Sequence, residues 1–88
     1  MKEQFNDLKT QLELLEWPRL YMFKFIVPNS PEMIAKVGNL FSAEAEMNLQ
    51  PSKNGNYMSV TGKEVMISVE AVLEVYYKAA EYKGVIAL

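Results

Sequence analysis

The 88-residue chain contains no cysteine and no histidine. Without cysteine there are no disulfides, no thiolate nucleophile and no sulfur-ligated zinc site. Without histidine, the commonest general base, the commonest metal ligand and the usual partner of a nucleophilic serine are all missing. Arg19 is the only arginine. With 11 Asp and Glu against 9 Lys and Arg, the net charge is −2 and the pI near 5.1. A nucleic-acid binder held by phosphate neutralisation needs clustered cations, so this balance speaks against one. Long apolar runs are missing as well. The stretch Leu20–Val27 is broken by Lys24 and falls far short of the roughly 20 residues of a membrane span. The first residues, Met1 to Asp7, lack the basic-then-apolar order of a secretory signal, so the expectation is a soluble cytoplasmic protein.

What is present suits one small α+β domain: half the residues are apolar, including five Tyr, four Phe and one Trp. From Lys2 to Glu16, Phe5, Leu8, Leu12 and Leu15 recur at helical spacing, with Lys9 and Glu13 as a surface pair. Trp17 precedes Pro18 and is pushed out of the α region, which ends the helix near Glu16. This divides the chain into a leading helix, 1–17, and a domain, 18–88. Leu20–Val27 reads as a strand, with Tyr21, Phe23, Phe25 and Val27 facing a core and Met22, Lys24 and Ile26 on the other side. Ser30-Pro31-Glu32 is a helix start, with a cap, a proline at the first helical position and a carboxylate at the positive end. Ile34, Val37 and Phe41 follow on one face; Gly38, which costs about 1 kcal/mol relative to Ala, points to close packing on a sheet.

Pro51-Ser52-Lys53-Asn54-Gly55-Asn56 is turn chemistry. Asn54-Gly55 predicts a tight hairpin with positive φ at both turn residues, between strands near Ala45–Ser52 and Asn56–Glu64. Gly62-Lys63-Glu64 is awkward inside a strand and predicts a bulge, or an end projecting from the sheet. Ser68 to Tyr82 is helical, with Glu74 and Lys78 as an i,i+4 pair, and Val85–Leu88 a last strand. Of the adjacent Tyr76 and Tyr77, one belongs to the core and one to the surface. The six methionines read as gap fillers at core spacing.

After the leading helix, the order strand–helix–strand–strand–helix–strand is that of a ferredoxin-like sandwich. It predicts a four-stranded antiparallel sheet with two helices on one face and the first and third strands central. The other sheet face is then open unless the leading helix or a second copy covers it.

Two segments also resemble the YbeD-like family of small bacterial proteins: Leu14-Leu15-Glu16-Trp17-Pro18 and Gln50-Pro51-Ser52-Lys53-Asn54-Gly55-Asn56-Tyr57-Met58-Ser59-Val60. The helix Glu70–Tyr76 and the end Gly84-Val85-Ile86-Ala87-Leu88 are similar to theirs too, so the likeness runs from about Leu12 to Leu88. It implies a ferredoxin-like fold similar to the regulatory ACT domain, in a family often labelled lipoate-regulatory, with no catalytic residues to carry over. Gly62-Lys63-Glu64 departs from the family's alternating strand and puts the end of the third strand in question.

Three places are candidate contact sites. The turn at Asn29 and Ser30 stands where ACT-like domains approach an amino-acid ligand, but Pro31 removes an amide there and Glu32 would repel an anion. The hairpin residues Ser52, Lys53, Asn54, Gly55, Asn56 and Tyr57 could form a small anion-binding concavity, or simply a turn. The open sheet face carries Met22, Lys24 and Ile26 beside Tyr57, Ser59 and Thr61. RNA-recognition domains use such a face, but the aromatic-glycine-aromatic signature and the basic surround are lacking. The carboxylate pairs Glu13/Glu16, Glu44/Glu46 and Glu70/Glu74 read as solvated surface. These observations lead to an expectation of no enzyme activity, no cofactor and no metal. The expected function is regulatory or adaptor binding of another protein, with a homodimer through the open sheet or an edge strand among its forms; the alternative is an ACT-like small-molecule sensor.

Overall fold

A computed structural model describes residues 5–88. Its elements are α1 (Asn6–Leu12), β1 (Arg19–Pro28), α2 (Pro31–Gly38), β2 (Glu46–Pro51), β3 (Tyr57–Met66), α3 (Val69–Ala80) and β4 (Ile86–Ala87). The strands form one antiparallel sheet in the order β2-β3-β1-β4. This is the expected ferredoxin-like arrangement, with β1 and β3 central. Alternation along β1 buries Phe23, Phe25 and Val27 completely. Val60 of β3, Val37 of α2 and Val72 of α3 close over them. The starts of α2 and α3 are capped by serine: Ser30 Oγ accepts from Met33 N at 3.1 Å, and Ser68 Oγ from Ala71 N at 3.1 Å. On the helix surfaces Lys36 pairs with Glu32 at 3.2 Å and Lys78 with Glu74 at 3.9 Å, whereas no ion pair joins Lys9 to Glu13 among the described residues.

Several boundaries differ from the sequence reading for identifiable reasons. The leading helix stops at Leu12, well before Pro18; its expected start at Lys2 lies outside the described residues. The Leu12 carbonyl accepts from Leu15 N at 3.1 Å and from the Trp17 indole at 3.0 Å, in place of the Glu16 N–H that another helical turn would have brought to it. The Trp17–Pro18 peptide is cis. This helix lies in the helical layer beside α3, where the Phe5 ring sits 5.8 Å from that of Tyr76 and 5.5 Å from that of Tyr77. Tyr76 is the core member of the tyrosine pair, and its hydroxyl meets that of Tyr21 at 3.0 Å. Among the methionines, Met66 is buried and the partly exposed Met47 reaches back against Gly38, while Met22 is exposed rather than gap-filling; Met1 lies outside the described residues.

Gly62 is neither a bulge nor a strand end. It pairs with Phe23 on one side and Met47 on the other, and β3 continues to Met66. A side chain is missing there because Phe41, in the turn after α2, lies over the position: a Cβ on Gly62 would come within 2.7 Å of the ring. Phe41 in turn packs on Phe23 and Phe25, at centroid distances of 5.6 and 6.2 Å. Gly38 likewise lies against the Met47 side chain, at 3.3 Å from where a Cβ would stand.

Gly62→Ala is expected to destabilise the fold by about 1–3 kcal/mol, read from urea unfolding, because a ring packed on backbone must move. Combined with Phe41→Ala it should cost less than the sum of the two single changes, the sign of direct contact. A separate expectation concerns Tyr76, whose phenol is held well above its ordinary range, first by burial and then by the Tyr21 hydroxyl. The unfolded chain loses that proton near pH 10 and the folded one does not, so stability falls as pH rises above about 10. Tyr76→Phe should flatten that alkaline fall in a pH series of thermal unfolding.

Candidate functional site

The fold brings two of the three candidate segments together. β1 ends and β3 begins side by side, with Pro28 opposite Tyr57. Beyond that pair, Asn29 N donates to Asn56 O at 3.0 Å, and Asn29 Nδ2 donates to Gly55 O at 2.8 Å. The Asn29–Ser30 turn and the hairpin are therefore one polar corner. Its groups are mostly committed to one another. Asn54 Oδ1 accepts from Ser52 Oγ at 3.0 Å and from Asn56 N at 3.1 Å, while Ser52 Oγ accepts from Tyr57 N at 3.0 Å. The Ser30 hydroxyl is the cap of α2. Lys53 is exposed at the tip.

The hairpin also differs from the expected tight turn. Asn54 does not take positive φ; only Gly55 does, at 78°. A longer loop results, closed by Ser52 N donating to Tyr57 O at 2.8 Å and Gly55 N donating to Ser52 O at 3.0 Å. The Asn54 side chain does locally what a second left-handed residue would have done, folding the loop back through its own oxygen.

The third candidate, the open sheet face, lies on the side of the sheet away from the helices. Register places Ile26 opposite Ser59, Lys24 opposite Thr61 and Met22 opposite Lys63, with Leu20 opposite Val65 at the end of the row. On the outer strands Glu46, Asn48 and Gln50 lie beside Lys63, Thr61 and Ser59, and Ile86 lies beside Ile26. Leu20 and Met22 are each 56% exposed, Val65 64% and Ile86 54%. Sequence reading found the middle of this face but not Leu20, Lys63, Val65 or Ile86. Alternation in β1 already signalled Leu20; the others needed the strand pairing.

The surface has two depressions of note. One of about 240 Å³ is lined by Phe5, Tyr76, Ala79, Ala80, Val85 and Ala87. The other, of about 320 Å³, is lined by Leu20, Ser42, Glu44, Glu46, Lys63, Glu64 and Val65, at one end of the open face. There Glu64 Oε2 accepts from Ser42 N at 2.9 Å and from Ser42 Oγ at 3.1 Å. Neither depression is lined by the polar corner. No group of three or more Asp or Glu side chains is placed to hold a metal ion among the described residues, and no helix there is long and apolar enough to cross a membrane.

A ferredoxin-like α+β sandwich whose helices cover one sheet face is thus the class of protein that the fold defines. Within that class the chain belongs to the family described as proteins of unknown function, DUF493, whose family model matches residues 12–88. This is the YbeD-like family. Among curated proteins and among solved structures, nothing matches the chain.

Replacing Gly55 by Ala should cost about 1–2 kcal/mol, since an L side chain is disfavoured at its φ of 78°. Gly55→Asn should cost less, because Asn tolerates the left-handed region. Urea unfolding of the two variants beside the parent checks the order.

Proposed function

We propose that this protein is a non-catalytic binding module, regulatory or adaptor in role, that holds another protein against the open face of its sheet. The observation that carries this reading is the row Leu20, Met22, Ile26, Val65 and Ile86 on the side of the sheet that no helix covers, four of whose members are more than half exposed. Apolar groups concentrated on one face and rimmed by polar ones mark contact surfaces in soluble domains. The lack of histidine and cysteine across the whole sequence supports a role without catalysis. A small-molecule sensor at the polar corner has less support, because the Ser30, Ser52, Asn29 and Asn54 side chains are engaged in holding that corner together.

A photo-crosslinking residue at Met22, compared with one at Glu70 on the exposed side of α3, tests the reading in native lysate. Discrete protein adducts are expected from position 22 and not from position 70. Equal or absent labelling at the two positions would overturn it.

A further inference from the structure

Resting on the protein-binding reading, we infer that the partner presents an amphipathic segment whose apolar side is flanked by carboxylates, seated over Met22, Leu20 and Val65 with its acids on Lys24 and Lys63. Two lysines stand in the middle of the open face. Lys24 on β1 and Lys63 on β3 are diagonal neighbours, since Met22 is opposite Lys63 and Lys24 opposite Thr61. Such neighbours are roughly 7–8 Å apart, close enough for one short segment to reach both. Both are exposed, and neither has an ion-pair partner among the described residues. Of the helical lysines, Lys36 and Lys78 each pair with a glutamate one turn away, whereas Lys9 does not.

On the helices acids and bases are mixed, with Asp7, Glu32, Glu70 and Glu74 beside Lys9, Lys36 and Lys78. On the open face Lys24 and Lys63 hold the middle, and Glu46 on the edge strand lies beside Lys63. A protein of net charge −2 thus has a cationic centre on its apolar face. Covering that face with a purely apolar partner would strip water from two unpaired ammonium groups, a cost that only opposite charge offsets. A second copy is a poorer match: it brings two more lysines to the middle of the face, and its nearby carboxylates, Glu44, Glu46 and Glu64, lie around Lys63 at one end. An anionic membrane is a poorer match as well, because stable attraction takes four to eight clustered cations and this face offers two.

The test uses the whole isotope-labelled protein and three synthetic helical peptides with one shared apolar side, flanked by Glu, by Gln or by Lys. Titration followed by amide NMR should rank the Glu peptide tightest, with shifts at Met22, Lys24, Thr61, Lys63 and Val65. The double variant K24E/K63E should weaken that peptide by about tenfold or more and reverse the preference toward the Lys peptide. K24Q/K63Q should level the three, and thermal unfolding checks that both variants fold. If the Lys peptide binds the parent as well as the Glu peptide does, or neither binds, the acidic partner is overturned. Adducts at Met22 would in that case still stand for a protein-binding face, and their absence would remove both readings. Sedimentation that shows a dimer with the same amides shifted would assign the face to a second copy. Flotation with phosphatidylserine vesicles stronger than peptide binding would assign it to a membrane surface. Either result overturns the inference.

Discussion

The Phe41 ring fills the space that a side chain on Gly62 would need, and much of the packing follows from that contact. Phe41 leaves the end of α2 and reaches down to the middle of the sheet, where it meets Phe23 and Phe25 on β1. Tyr76 of α3 comes to the same two rings, at 5.4 and 5.8 Å, and passes the cluster on to Tyr21 and Phe5. Both helical segments that follow β1 and β3 are thereby tied to the two central strands through one group of rings. Aromatic pairs add about 0.5–1.5 kcal/mol each beyond their buried area, so a connected group is a strong anchor for a small sheet. The anchor is one-sided: every ring of this group lies on the helical side.

That asymmetry governs what the molecule can do. All helical packing is invested in one face, and α1 joins the same layer through Phe5 and Leu12 instead of crossing to the other. The opposite face keeps its alternate residues, which on β1 and β3 are a mixture of apolar side chains, hydroxyls and lysine. Such a mixture is too polar for an interior and too apolar for an inert exterior.

Much of this was legible in the residues themselves. The alternation of Tyr21, Phe23, Phe25 and Val27 named the buried side of β1, and Ser30-Pro31 and Ser68 marked two helix starts that the hydrogen bonds bear out. The order of elements was enough for the fold class, and the resemblance of the hairpin and the last strand for the family. Gly62 was misread because a glycine in a strand looks the same whether it bends the chain or makes room for a ring from elsewhere. The Asn54-Gly55 turn was misread because the choice between a two-residue turn and a longer loop depends on how the flanking strands pair, and on Asn54 bonding its own neighbours.

What the sequence determined by itself were the local matters: periodicity, caps, and the side of each strand that is apolar. These follow from forces acting within a few residues along the chain. Only the tertiary structure decided that the Asn29 turn and the hairpin are one corner, that α1 stops where the Trp17 indole takes the Leu12 carbonyl, and that Lys24 and Lys63 lie side by side. Each of these depends on the register between strands, or on a contact between segments whose meeting no local pattern encodes.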